Sequence, residues 1–381
     1  MSEVVLSLNA GSSSLKFALF AAEGDALAEG AVERVGDTGG KAWIRRGGDR
    51  REIARDFADH AAALATARAM LAEAGVPAPT VVGHRVVHGG PRLVEPTFVD
   101  AAVLAELEAV VPLAPLHLPA SIAAIRAVGA EPAAPPQIAC FDTAFHARLP
   151  ELARRLPLPA RFDDAGVRRY GFHGLSYELV MSVLGAAAPA RLVIAHLGNG
   201  ASLAAVRDGS PIDTTMGLTP TGGVPMGTRT GDLDPGVIFY MQRAFGLDVD
   251  AIERVIDRES GLVGIAGSSD MKTLLARSDA RAELAVATFS YGVKKAIGAF
   301  AAALGGIDML VFTGGIGEHA HQIRARVCEG LDVVGIRLDR ARNESGEGIV
   351  SAEASRCIVR VVATDEDRMI AQHCRALMSK R

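Results

Sequence analysis

The chain has 381 residues, of which 49% are hydrophobic and 22% charged, with a formal net charge of −4. That length exceeds a single core and fits two domains, the composition suits a soluble enzyme, and the charge supplies no basic field for nucleic acid. No apolar run reaches membrane-spanning length and no basic-then-apolar leader opens the chain, so a cytoplasmic protein with neither nucleic-acid nor membrane partners is expected. The four cysteines, Cys140, Cys328, Cys357 and Cys374, lack metal-binding spacing and read as reduced, mostly buried thiols.

Residues 4–8 form an apolar, β-prone run, and residues 15–20 read as its hairpin partner. The turn between them, Asn9-Ala10-Gly11-Ser12-Ser13-Ser14, is small and polar, and Lys16 follows. Such a turn can offer hydroxyls, N–H groups and a cation to a phosphate, or it can be an ordinary serine-rich turn; it lacks the ending of a P-loop. A second copy adds weight. Residues 192–205 again run from a strand, through His196, Gly198, Asn199, Gly200 and Ser202, into an apolar stretch, which suggests a duplicated fold facing one ligand.

Between the copies, residues 24–56 read as strands and 54–74 as a helix, with His60 in a surface or packing role. Residues 81–90 are an apolar strand interrupted by His84, Arg85 and His88. A buried arginine needs an anion; the plain alternative is an edge strand with satisfied polar groups. His117 lies in a proline-fixed loop before a helix over 120–128. Residues 137–141 form a buried strand with Asp142 at its carboxyl end, where α/β folds place ligand groups, although Asp142 also suits a helix cap. Residues 168–176 cluster cations, Phe172 and a glycine-flanked His173, either a ligand site or a basic surface turn.

Residues 213–236 are too long and glycine-rich for an idle loop, with Arg229 the cation at their centre. Helices are expected at 247–259 and 281–304, with a glycine- and serine-rich turn over 261–270 between them. The strand 308–313 runs into Gly314-Gly315-Ile316-Gly317-Glu318, a glycine turn before a helix, which favours a nucleotide lying against bare backbone. The strand 358–363 leads through Thr364-Asp365-Glu366-Asp367 into a final helix over 368–378; acids there also serve as helix-dipole partners.

Asn9-Ala10-Gly11-Ser12-Ser13-Ser14-Leu15-Lys16 resembles the N-terminal signature of the acetate kinase family, part of the acetate and sugar kinase, heat-shock chaperone and actin superfamily. Similar motifs recur in order along nearly the whole chain. The resemblance implies two actin-like (ribonuclease H-like) α/β domains with a cleft between them. Residues 1–144 with 367–381 would form one, and 145–366 the other. It implies reversible phosphoryl transfer from ATP to acetate by direct in-line attack. Asp142, His173, Arg229, Arg85 and Asn9 would be the catalytic residues. Arg85 would bind the substrate carboxylate, His117 would contact phosphate, and Val87, Leu116, Phe172 and Pro220 would enclose the acyl methyl.

ATP would be held by Ser12, Ser14, Lys16, His196, Gly198, Asn199, Gly200, Asp270, Gly314, Gly315, Ile316 and Gly317. Magnesium, or manganese in its place, would be held by Asn9, Asp142 and Glu366, and a homodimer is implied. The chain departs from the family pattern at Leu118, Thr221-Gly222-Gly223, Gly314, His319, Asp365 and Asp367. Propionate or butyrate kinase is the near alternative. An ATP-driven conformational protein of the same superfamily is the remoter one, opposed by Arg85, His173 and Arg229, which supply cations for a second anion.

Overall fold

The first hairpin forms as expected, and the sheet grows from it. β1 (Val5–Gly11) and β2 (Ser14–Phe20) pair antiparallel, leaving Ser12 and Ser13 as the turn. The computed structural model describes residues 3–21, 24–346 and 348–381. By internal contacts it divides into two units, Met1–Ala147 with Asp365–Arg381, and Arg148–Thr364.

In the first unit, β3 (Ala26–Glu33), β4 (Lys41–Arg46) and β5 (Asp49–Ala54) extend the hairpin on one side. On the other side lie β6 (Val81–Val86), β7 (Thr97–Phe98) and β8 (Gln137–Phe141), giving the order β5-β4-β3-β2-β1-β6-β8-β7. β1, β6 and β8 run parallel, so their carboxyl ends share one edge. One face of the sheet carries Leu6, Leu8 and Ala10, packed in a cluster with Ala63, Leu64 and Ala124 of the helices His60–Glu73 and Leu118–Gly129. The other face is covered by the C-terminal helix Glu366–Met378, which buries Ile370 and Cys374. Gly83 permits that approach, because a Cβ there would stand 2.3 Å from Ile370 Cγ2.

The second unit repeats the plan. β9 (Arg191–Leu197), β10 (Ala201–Arg207), β11 (Ser210–Thr214), β12 (Met309–Thr313), β13 (Gly348–Ile349) and β14 (Ile358–Val361) take the order β11-β10-β9-β12-β14-β13. Three antiparallel strands again adjoin parallel ones: β11-β10-β9 then β12 and β14 match β3-β2-β1 then β6 and β8. Thus the mixed α/β class and the duplication expected from the two hairpins are present.

Local expectations needed correction in four places. The stretch 54–74 is helical only from His60, with β5 ending at Ala54 and Asp59 capping the helix through Ala62 N–H. The turn expected over 261–270 begins as the helix Gly261–Ala266, whose Leu262 and Val263 N–H groups donate to Met226 and Gly227 carbonyls. The glycine turn after β12 is itself the start of the helix Gly314–His319. The last helix starts at Glu366 rather than 368, with Asp365 as its cap. No helix among the described residues is long and apolar enough to cross a membrane.

Candidate active site

Side-chain alternation sets the first unit's constellation. Asn9 follows Leu8, which pairs with His84 of β6, so Asn9 lies level with Arg85. Lys16 stands opposite Asn9 across the hairpin. Gly83 and Arg85 share the face covered by the C-terminal helix, as do Cys140 and, one step past β8, Asp142. That helix brings Glu366 and Asp367 in its first turn, where the backbone dipole favours acids.

Arg85 is the hub. Its Nε donates to Asp142 Oδ1 at 3.0 Å and its Nη2 to Asp142 Oδ2 at 2.7 Å, while Nη1 pairs with Glu366 Oε2 at 2.7 Å. Asp142 is 1% exposed. Burial works to lower the Arg85 pKa, but the Asp142 and Glu366 carboxylates outweigh it and the net shift is upward. Asp367 accepts from Ser7 Oγ at 2.5 Å; burial, with Glu366 and Asp365 nearby, pushes its carboxyl up to about 6. On the opposite face, buried His84 is held at about 4 by desolvation and hydrogen-bonds to the Gln137 amide at 2.8 Å.

Two hard carboxylates meeting at one guanidinium fit a magnesium ion, which takes one or two carboxylates and completes its shell with water and phosphate. A fuller protein cage is absent: no group of three or more His, Cys, Asp or Glu suited to a metal occurs among the described residues. Val87 follows β6 directly, and His117 takes the N-cap position of the helix Leu118–Gly129, with Leu116 just ahead; all three are half-buried. His60, expected in a surface or packing role, hydrogen-bonds through Nε2 to the Gly11 carbonyl at 2.8 Å and so braces the first hairpin turn.

The second unit builds around the turn Gly198-Asn199-Gly200. His173 caps the helix Gly174–Leu184 in the left-handed region, φ 58°. Its Nδ1 lies 2.8 Å from Ser202 Oγ of β10, and its ring stacks on His196 of β9 with centroids 4.2 Å apart. A Cβ placed on Gly200 would lie 3.3 Å from His173 Nε2 and 3.6 Å from Arg229 Nη1, so these cationic and donor groups converge on the turn.

Arg229 donates to the Pro220 carbonyl at 3.0 Å and approaches Met226 Sδ, and it forms no salt bridge among the described residues. Burial lowers its pKa against the opposing field of Asp257. Asp257 also anchors the loop, accepting from Thr221 Oγ1 on its side chain and from Thr228 Oγ1 on its carbonyl. Phe172 is buried beside His173.

A cavity of about 950 Å³ opens beside this turn, lined by Gly198, Asn199, Asp270, Gly315, Ile316 and His319 among others. Asp270 caps the helix Met271–Ala276, and the Thr273 hydroxyl and N–H hold its carboxyl below the usual range. The residues expected to hold ATP are thus divided. Ser12, Ser14 and Lys16 belong to the first unit; His196, Gly198, Asn199, Gly200, Asp270 and 314–317 belong to the second. Sequence reasoning gave no supporting role to Ser202, which hydrogen-bonds to His173, to Ser176 and Tyr177 behind the two histidines, or to Asp257, which anchors the Arg229 loop. Helical spacing flags Tyr177, four residues after His173; the others act through tertiary contacts that leave no local signal.

One strand order used twice, each time with a small polar hairpin turn at the edge where the parallel strands end, defines an actin-like α/β protein. The chain belongs to the acetokinase family, whose sequence pattern matches residues 4–372. It is 44% identical to the acetate kinase of Methylocella silvestris, covering 100% of this chain and 99% of that one. The crystal structure of Porphyromonas gingivalis acetate kinase is similar at a TM-score of 0.89 and 37% identity, over 99% of this chain and 100% of that one. A propionate kinase from Francisella tularensis is similar at a TM-score of 0.93 and 34% identity, over 97% and 98% of the two chains.

Proposed function

We infer that the protein is an acetate kinase, moving the γ-phosphoryl group of ATP reversibly onto acetate to give acetyl phosphate and ADP. The observation that carries this reading is the convergence of His173 Nε2 and Arg229 Nη1 on Gly200, beside the cavity lined by Gly198, Asn199, Asp270 and Gly315. Acetate is ionised at neutral pH, so its oxygen attacks phosphorus without a general base. What remains is alignment and charge neutralisation.

Arg229, which forms no salt bridge among the described residues, orients the incoming carboxylate. Arg85 exchanges its hold on Asp142 and Glu366 for the same carboxylate. His173 and Asn9 donate to the equatorial phosphoryl oxygens. The 198–200 turn, with Ser12, Ser14, Lys16 and His196, grips the nucleotide phosphates, and Asp270 with residues 314–317 cradles the adenosine. His117 contacts phosphate, while Val87, Leu116, Phe172 and Pro220 wall the methyl. Asp142 and Glu366, with Asn9 level with Arg85, would hold magnesium or manganese, which supplies charge neutralisation at the phosphates. Use of ATP suits a cytoplasmic enzyme.

A homodimer is supported by the helix Pro235–Phe245, which buries none of its residues and leaves Phe239 55% and Phe245 68% exposed. Light scattering at the monomer mass would reject it. The near alternative, a propionate kinase, is favoured by the similarity to the Francisella enzyme. A coupled ADP assay with acetate, propionate and butyrate decides. One methylene discriminates by about 1–3 kcal/mol, so propionate should be a poorer but measurable substrate, and chelation of divalent cations should abolish turnover. A higher kcat/KM for propionate than for acetate would favour the alternative, and full turnover in chelator would remove the metal from the account.

A further inference from the structure

His173 is held more tightly than hydrogen bonding to a substrate requires. A non-glycine residue with φ near +58° carries local strain, and such strain persists where surrounding structure over-determines it. Here two histidines are locked reciprocally. His173, at the start of a helix, reaches Ser202 on β10, and His196, on β9, reaches Ser176 on that helix, each through Nδ1 at 2.8 Å. The rings stack nearly parallel, at 20°. His173 Nε2 is directed toward the Gly200 position and Arg229. Behind Ser202 stands Tyr177, whose hydroxyl hydrogen-bonds to Ser202 Oγ; both residues are 0% exposed.

We propose that Tyr177 and Ser202 are positioning residues that hold His173 as its Nε2–H tautomer. A phenol is a stronger donor than an aliphatic alcohol, so the Tyr177 O–H donates to Ser202 Oγ. The serine hydroxyl carries one hydrogen of its own and donates it to His173 Nδ1. An Nδ1 that accepts leaves the neutral ring's proton on Nε2, the nitrogen directed at the turn. The ring then presents a donor to a negatively charged oxygen without having to be an imidazolium. Reversing the relay would turn a lone pair, rather than a proton, toward the phosphoryl group. This assignment rests on the acetate kinase reading for its consequence, though not for its geometry.

The test is nitrogen NMR of the ¹⁵N-histidine-labelled protein without substrates, with His173 assigned by its loss in His173→Gln. The expected spectrum has a protonated Nε2 and a bare Nδ1, and Tyr177→Phe should mix the tautomers. Kinetically, Tyr177→Phe should lower kcat for acetyl phosphate formation about tenfold, less than loss of a whole donor, with KM for ATP within about twofold. Ser202→Ala should behave alike, which preserves the test if the phenylalanine variant folds poorly. An Nδ1–H tautomer in the unaltered protein, or a loss of kcat in variants whose tautomer is unchanged, would overturn the relay. Absence of acetyl phosphate with the unaltered protein would reject the enzymatic reading alone, leaving the NMR result to decide the relay.

Discussion

Arg229 is held by a backbone carbonyl and a thioether in mostly buried surroundings, an arrangement that leaves its charge for a ligand. Removing it should cost turnover rather than folding. Arg229→Ala is expected to lose about 10²–10³ in kcat, with guanidine added to the assay restoring part of it; an unaffected kcat would exclude it from the transition state. The buried titratable pair is a stability matter. His84, held at about 4, contributes stability that is full above about 6.5 and is lost as pH falls. Asp367, raised to about 6, has the opposite sign: its contribution is present below the usual carboxylate pKa and is lost as pH rises through 6. Between pH 4 and 6 the two slopes oppose. Asp367→Asn should therefore make stability climb more steeply with pH across that window in urea unfolding, and an unchanged slope would show that Asp367 does not titrate there. At this scale the candidate groups stood out because a buried arginine, or a histidine between glycines, is conspicuous in sequence. Their pairings were not: nothing local says that Arg85 closes on Asp142 and Glu366, residues far along the chain.

Elements were legible where apolar period and caps agreed, as in β1, β9 and β12. The helix Gly261–Ala266 was missed because two glycines argue against a helix, and its first turn is instead held by the carbonyls of Met226 and Gly227. The late start of the helix His60–Glu73 was hidden by alanines that suit helix throughout, although Asp59 was a readable cap. The need for glycine at position 314 belongs to its element. Its φ is +77°, and a Cβ would stand 2.8 Å from the Leu197 carbonyl oxygen. Gly314→Ala should destabilise by roughly 1–3 kcal/mol and raise KM for ATP, since the helix Gly314–His319 would have to move from β9 beside the cavity. Thermal unfolding and ATP saturation curves check this, and a neutral alanine would mean that the segment adapts freely.

At the scale of the molecule, duplication was the most readable feature, because each hairpin writes its own strand-turn-strand pattern. The strand order was beyond local reading, since β6, β8, β12 and β14 join their sheets through long crossovers. The account's central claim is that a carboxylate oxygen attacks the γ-phosphorus of ATP directly, in a site that supplies alignment and positive charge and no nucleophile of its own. The stereochemical course tests it most directly. ATP made chiral at the γ-phosphorus with oxygen isotopes, incubated with acetate and the protein, should give acetyl phosphate of inverted configuration. Net retention would require two displacements through a phosphorylated enzyme and would contradict direct transfer.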